Sequence, residues 1–220
     1  WLNKKYQLIL LSFHLESRYQ EVELKDHRFI GKGSPLTTEE MENNVAVNLK
    51  TVQSIFGKET PVLVENNNHL LTDAYETVTE PEFIKKIVEE NNIGFLLDLS
   101  HAKITSLNKK IDLKDYLRKL PLSRCKQIHL SQHSLKEGLA FDSHEEIKDW
   151  KDFQELLKIV DSLEYVTVEY YKDKDKLIQQ LKKVKKIQQE NDLPFSILKW
   201  DSEFFGFPIA RIDCLFPTPL

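Results

Sequence analysis

The sequence has few cysteines, no glycine-rich phosphate loop and no long apolar run. Only two of its 220 residues are cysteine, Cys125 and Cys214, which excludes a disulfide framework and favours a reducing compartment. The longest apolar stretch near the start, residues 6–15, is far shorter than the ~20 residues that a membrane-spanning helix needs. We therefore expect a cytoplasmic protein with no membrane segment.

The charge balance gives no support for nucleic-acid binding. Lysine and arginine number 31 against 35 aspartate and glutamate, and the formal net charge is -4. A phosphate backbone is held mainly by basic side chains, so such a role would need a local basic face. The lysine-rich stretch 175–189 is expected to be the solvated face of a helix. We expect no nucleic-acid partner.

Short apolar runs alternate with amphipathic segments through most of the chain. The runs predict five strands, each buried on both faces, at residues 7–14, 61–65, 93–98, 125–130 and 165–169. Apolar residues at helical spacing predict helices at 38–57, from 80 onward, and at 113–120, 145–160 and 175–189. This alternation is typical of parallel β/α units, which occur in doubly wound sheets and in (β/α)8 barrels.

The lack of a nucleotide-binding loop favours the barrel. No strand is followed by Gly-x-Gly-x-x-Gly, and residues 31–34 lack the spacing and context of a phosphate loop. The predicted fold class is therefore α/β, of the (β/α)8 TIM-barrel type. In such a barrel the active site lies at the C-terminal ends of the strands, where polar residues should converge.

Every predicted strand has an ionisable side chain at its last or next-to-last position. The strand ends and the segments that follow them supply four histidines and four carboxylates, namely His14, Glu65, Asp98, His101, His129, Asp142, His144 and Glu169. Ionisable groups gathered in a barrel core need neutralising, and divalent metal ions do so. Imidazoles and carboxylates suit iron, zinc or manganese, and eight groups exceed what one tetrahedral site uses. The sequence predicts two or three metal ions.

The ordered ligand series resembles that of the xylose isomerase-like barrels, the superfamily that contains endonuclease IV and many sugar isomerases and epimerases. Within it, the chain looks most like the multinuclear non-haem iron-dependent oxidases of the methanobactin-biosynthesis type. The motifs are Ser-Phe-His-Leu at 12–15, Leu-Val-Glu-Asn at 63–66, Gln-Ile-His-Leu-Ser-Gln-His at 127–133 and Asp-Ser-His at 142–144.

The resemblance implies roles for the eight ligand candidates. Glu65 would bridge two metals, one of which is also held by Asp98, His129 and Glu169. His14 would bind the second metal, together with a histidine on an earlier strand. The third metal would be held by Asp142 and His144, with His101 nearby.

The resemblance also implies iron as the favoured metal and a small molecule or peptide as the substrate. Glu65 and Glu169 are the candidate catalytic residues. The candidates for substrate binding are Asn66, Lys103 and His133.

Two departures from the oxidase pattern keep another chemistry open. Ser100-His101 stands where the oxidases have Asn-Asn, which is closer to the isomerase and endonuclease pattern, and Gln132 replaces a glycine. A divalent-metal-dependent sugar or sugar-phosphate isomerase or epimerase is the alternative. An endonuclease IV-like phosphodiesterase and a non-catalytic scaffold are less favoured.

The resemblance predicts a two-domain organisation. The family's barrels have three earlier strands, so residues 1–190 are expected to form an N-terminally incomplete barrel of about five of the eight β/α units. Residues 195–212 resemble the opening of GCN5-related N-acetyltransferases that act on sugar nucleotides. Residues 191–220 are thus expected to be a linker and the start of a second, α+β domain. The tail lacks the loop that grips acetyl-coenzyme A, and we expect no acetyl transfer from this chain.

Overall fold

The computed structural model describes residues 9–26 and 28–198, and its centre is a parallel sheet. The sheet strands are Leu11–His14 (β1), Val62–Glu65 (β4), Gly94–Asp98 (β5), Cys125–Leu130 (β6), Tyr165–Val168 (β9) and Ser196–Leu198 (β10). They pair in the order β1-β4-β5-β6-β9-β10, and every pair is parallel. Neighbours in the sheet are therefore successive sheet strands in the chain.

Two antiparallel hairpins interrupt this series. The first pairs Glu21–Lys25 (β2) with Arg28–Lys32 (β3), and the second pairs Gln132–Lys136 (β7) with Leu139–Glu145 (β8). The second hairpin turns at Glu137 and Gly138, whose φ angles are 53° and 80°. Positive φ at both central residues of a two-residue turn matches the twist of the flanking strands. This hairpin follows β6 directly and stands at the C-terminal edge of the sheet.

Between residues 9 and 198, six α-helices accompany the strands. They are Thr38–Phe56 (α1), Pro81–Glu90 (α2), Leu99–Lys109 (α3), Leu113–Lys119 (α4), Lys151–Leu156 (α5) and Lys174–Glu190 (α6). Helix α1 begins at a capping box, in which the Thr37 hydroxyl accepts from the Glu40 amide and the Glu40 carboxylate accepts from the Thr37 amide. It ends at Gly57. No helix in the described part of the chain is long and apolar enough to cross a bilayer.

The core lies between the sheet and the helices. Strand residues such as Val64, Phe95 and Ile128 are fully buried, as are Met41 on α1 and Ile187 on α6. The aspartate, glutamate and histidine residues of the sheet strands all lie at or next to the C-terminal ends of those strands.

The predicted strands at 61–65, 93–98, 125–130 and 165–169 are confirmed to within one residue at either end. The predicted helix over 145–160 is wrong outside 151–156, because residues 139–145 form β8. Ile147 and Trp150 pack against the core from a non-helical segment, and their apolar side chains therefore resemble a continuation of the helical pattern. Helix α3 and both hairpins were not predicted.

The described architecture is mixed α/β with a six-stranded parallel sheet, which is compatible with a TIM-barrel-like fold. Ser196–Leu198, at the start of the acetyltransferase-like segment, pairs with Tyr165–Thr167 of β9. The rest of that segment, residues 199–220, lies outside the described residues, as do residues 7–8 of the first predicted strand. The second domain and the limit at residue 190 stay predictions.

Candidate metal centre

The strand ends carry the ligand candidates to one edge of the sheet. His14, Glu65 and Asp98 are the last residues of β1, β4 and β5. His129 lies one residue before the end of β6, and Glu169 directly follows β9. The register places His14 beside Glu65 and Asp98 beside His129. Since all these strands run parallel, their C-terminal residues meet at the same edge.

Glu65 is the centre of the cluster. Its Oε1 lies 3.1 Å from His14 Nε2, 3.6 Å from His129 Nδ1 and 3.7 Å from His101 Nδ1. The residue is only 4% exposed. Burial by itself would raise the pKa of Glu65, but the charges of His14 and His129 hold it well below its usual range. Glu65 is therefore a buried, ionised carboxylate.

Asp98 is held in place by its backbone and by α3. The Asn66 side chain spans β4 and β5, since its Oδ1 accepts from the Asp98 amide at 2.9 Å and its Nδ2 donates to the Asp98 carbonyl at 3.0 Å. Asp98 Oδ1 caps α3 by accepting from the His101 amide at 2.8 Å. Complete burial raises the pKa of Asp98. The charge of His101 opposes this rise and the charges of Glu169 and Glu65 add to it, so that the pKa is about 6.

His101 lies in the first turn of α3, where its ring nitrogens face two different partners. Nδ1 is 2.9 Å from the Asn66 carbonyl, to which it donates, and Nε2 is 3.7 Å from Asp142 Oδ2. A backbone carbonyl on Nδ1 leaves Nε2 as the atom able to bind a metal. Burial alone would lower the pKa of His101, but Asp98, Asp142 and Glu65 raise it to about 10.

A second line of contacts joins the β7–β8 hairpin to β9. His129 Nδ1 is 3.2 Å from Glu169 Oε1, while His144 Nε2 is 3.2 Å from Glu169 Oε2 and 3.4 Å from Asp142 Oδ2. Burial disfavours the charged forms of Glu169, His129 and His144, but the opposite charges next to each group outweigh this effect. The pKa of Glu169 is lowered well below its usual range, that of His129 is raised well above 6.5, and that of His144 is raised.

A bulge in the β7–β8 hairpin aims two of these side chains. Between the pairs Gln132/Glu145 and Ser134/Phe141, β7 contributes one residue and β8 contributes three, which are residues 142–144. His144 adopts φ 45°, in the left-handed region. Bulges bend a strand and redirect its side chains. The bulge thus places Asp142 and His144, two positions apart in one strand, beside His101 and Glu169 respectively.

The donor set fits metal ions. In the described part of the chain, three buried ligand-type atoms of the cluster have no hydrogen-bond partner: Asp98 Oδ2, His129 Nδ1 and Asp142 Oδ1. Two groups, His14/Glu65/His101 and Glu65/Asp98/His129, have ligand atoms within 4.8 Å of one another, and Glu65 belongs to both. Unpaired buried polar atoms are costly, and a cation among them would remove that cost. Each of the two groups could therefore hold a metal ion.

The three candidates for substrate binding have different surroundings. Asn66 is fully buried and its amide is used on Asp98. Lys103 Nζ pairs with Asp152 Oδ2 at 2.8 Å. His133 lines a cavity of about 600 Å³ together with Gln132, Tyr170 and Lys176. His133 thus faces an open space, and the binding role of all three stays a prediction.

Sequence reasoning missed Gln127 and Thr167, which lie beneath the cluster. Gln127 Nε2 is 2.9 Å from His129 Nε2 and 2.9 Å from Thr167 Oγ1. Gln127 is 4% exposed and precedes His129 by two residues in β6. Since residues two apart in a strand share a face, a polar side chain at this position of a buried strand was the available signal.

Comparison with known proteins finds a family and several relatives. The family model described as "RiPP precursor modification enzyme MbnB/TglH/ChrH" matches residues 5–190. A UPF0276 protein of Rhizobium meliloti is 29% identical over 167 residues, covering 72% of this chain and 52% of the relative. A UPF0276 protein of an Anaeromyxobacter species is 30% identical over 154 residues, or 66% and 53% of the two chains.

A UPF0276 protein of Acaryochloris marina is 29% identical over 139 residues, covering 59% of this chain and 50% of the relative. The chain thus spans about half the length of the curated relatives that it matches. The family model covers most of the chain, including all eight ligand candidates. The chain belongs to the MbnB/TglH/ChrH family of RiPP precursor modification enzymes.

Proposed function

We propose that the protein is a metal-dependent enzyme that modifies a RiPP precursor peptide, with two or three divalent ions at the C-terminal edge of its sheet. Iron is the favoured metal and an oxidation the favoured reaction, as in the multinuclear iron oxidases that the motifs resemble. The observation that carries the proposal is the position of Glu65, one ionised carboxylate shared by two groups of ligand atoms.

The contacts suggest how the ligands divide between the ions. Glu65 would lie between two metals, with Asp98, His129 and Glu169 on one side and His14 on the other. A third ion would be held by Asp142 and His144, and by His101 through Nε2. We also propose that the parallel sheet is part of a (β/α)8 barrel, since strand ends converge on one site in that fold.

When bound, such ions polarise a substrate heteroatom, and iron can also exchange electrons with dioxygen. The chain's own residues prepare the site by holding protons. Glu65 and Glu169 stay ionised at neutral pH, while His101 and His129 are protonated before a metal arrives and the pKa of His144 is raised. Glu169 contacts both His129 and His144, so its carboxylate would orient both rings toward the ions.

Metal analysis after anaerobic purification tests the proposal. We expect at least two equivalents of iron, or of added zinc or manganese, per chain. Glu65→Gln keeps the shape of the side chain but removes its charge, and it should lose at least one equivalent. Glu164→Gln is the matched control, because Glu164 lies at the opposite end of β9 and is 52% exposed at its side chain. No bound metal, or equal metal content in both variants, would refute the proposal.

A sugar or sugar-phosphate isomerase or epimerase is the second candidate, because His101 is buried within the cluster at a position where the oxidases carry asparagine. The two candidates differ in their need for dioxygen. Turnover with no oxygen consumption would favour the isomerase. The close approach of the ligand atoms, 3.1–4.0 Å between partners, argues against a degenerate scaffold.

The composition supports the remaining parts of the proposal. A cytoplasmic location follows from the low cysteine content, and the charge of -4 favours a peptide or small molecule over a nucleic acid as the ligand. A covalently linked acetyltransferase-like domain after residue 190 is proposed from the sequence of the tail.

A further inference from the structure

We propose that Gln127 is a positioning residue that fixes the tautomer and the ring orientation of His129. This inference rests on the proposed function, because it concerns which nitrogen of His129 can bind a metal. Gln127 touches none of the other seven ligand candidates in the described contacts, so its role would be exerted through His129 alone.

The two ring nitrogens of His129 face different groups. Its Nδ1 faces the carboxylates of Glu65 and Glu169, at 3.6 and 3.2 Å, and its Nε2 faces the side-chain amide of Gln127 at 2.9 Å. A neutral imidazole carries one proton, so one nitrogen donates and the other can accept or bind a metal. Nδ1 is the only one of the two that points into the metal cluster. His129 can therefore serve as a ligand only if the proton is on Nε2.

The orientation of the Gln127 amide decides between these tautomers. With the amide nitrogen of Gln127 at the contact point, Gln127 would donate to His129 Nε2, and the proton of His129 would be on Nδ1. Gln127 Oε1 would then be buried without a partner. An amide oxygen there would accept from Nε2–H and leave the Nδ1 lone pair directed at the space between Glu65 and Glu169. The oxygen and the nitrogen of an amide exchange places by a rotation of about 180° with little change in shape.

Thr167 allows the second orientation. Its hydroxyl is 2.9 Å from the same terminal atom of Gln127, and a hydroxyl can donate as well as accept. The amide oxygen of Gln127 can then accept two hydrogen bonds, one from His129 and one from Thr167. Gln127 and His129 lie on the same face of β6, and Thr167 is the register partner of His129 on β9. All three positions are thus fixed by the sheet.

The experiment compares two substitutions with a matched control. Gln127→Met removes both hydrogen bonds at nearly constant volume, whereas Gln127→Glu keeps an oxygen that can accept from His129 Nε2–H. Gln180→Met is the control, since Gln180 is equally buried at 4% exposed but contacts the Ile147 amide away from the cluster. The measurements are zinc affinity, by competition with a chelator, and the protonation of the His129 ring nitrogens by nitrogen-15 NMR.

We expect Gln127→Met to weaken zinc binding about 10- to 100-fold, the usual effect of losing an outer-shell partner. Gln127→Glu and Gln180→Met should remain within about threefold of the wild type, a range small beside that loss. In the zinc-loaded wild type, His129 should carry its proton on Nε2. A proton on Nδ1, or an affinity unchanged by Gln127→Met, would overturn the inference.

The experiment separates this inference from the proposed function. If the wild type binds no zinc, iron or manganese, the proposed function fails. The inference about Gln127 is then still decided by NMR on the metal-free protein, in which both ring nitrogens of His129 carry a proton. The Nε2–H proton should exchange slowly with water in the wild type and in Gln127→Glu, where it donates to residue 127, and faster in Gln127→Met. Equal exchange rates in all three proteins would overturn the inference.

Discussion

Metal binding should release at least two protons per chain at pH 7. The pKa of His101 is raised to about 10 and that of His129 well above 6.5, so both imidazoles are protonated in the metal-free protein. A metal binds only the neutral ring. Each displaced proton makes the apparent binding constant rise tenfold per pH unit. Two protons therefore predict about 100-fold tighter binding at pH 7 than at pH 6, or about 2.7 kcal/mol.

Titration calorimetry with zinc measures the proton count directly. The observed heat at pH 7 is compared in buffers of different ionisation enthalpy, and its slope against that enthalpy equals the number of protons released. His101→Asn should reduce the slope by about one proton. His133→Asn should leave it unchanged, because burial and Lys103 lower the pKa of His133 and keep it neutral. A slope clearly below two, or equal affinities at pH 6 and 7, would refute the reasoning.

Three further predictions concern stability and the surroundings of the site. The raised pKa of His101 contributes stability that is complete below pH ~6.5 and is lost as the pH rises toward 10. Urea unfolding of the metal-free protein should therefore give a lower free energy of unfolding at pH 9 than at pH 7. An equal or higher value at pH 9 would contradict this prediction. Phe95→Ala should lower the free energy of unfolding by about 3–5 kcal/mol, because Phe95 is fully buried. Ile159→Ala, at a position that is 51% exposed, should lower it far less. Similar losses for the two variants in urea unfolding would show that the core is wrongly placed. Lys103→Met should leave the zinc stoichiometry unchanged, because Lys103 pairs with Asp152. Loss of that ion pair should lower the free energy of unfolding by about 1 kcal/mol or less. Loss of bound zinc in this variant would instead place Lys103 in the metal site.

The sequence predicted those parts of the fold that depend on local patterns. The strands of the sheet are apolar on both faces and stop at an ionisable residue, so their positions and their shared edge could be read together. Helix α1 was bounded correctly because Thr37 with Glu40 caps its start and Gly57 follows its end. The meeting of the five candidates at the sheet-strand ends follows from the parallel direction of the strands, whereas Asp142 and His144 reach the site from the antiparallel β7–β8 hairpin.

Other elements of the fold were missed because their residues form no clear local pattern or an ambiguous one. Helix α3 is buried over Leu99–Ala102 and again at Ile104–Ser106, so it has no polar stripe to mark a helical period. The β7–β8 hairpin did carry a signal, Glu137-Gly138 between two extended segments, but Ile147 and Trp150 favoured a helix that reaches back over the end of β8. Gln127 was missed because its importance depends on one contact across two strands, which periodicity does not encode.

The order of the strands in the sheet has a consequence for folding kinetics. The ligand candidates extend from His14 on β1 to Glu169 after β9, and each sheet strand pairs with the next one along the chain. The centre is complete only after β9 has docked against β6, which requires contacts between residues far apart in sequence and so forms slowly. Metal ions present during refolding should therefore leave the folding rate almost unchanged, and should act by slowing the unfolding of the assembled protein.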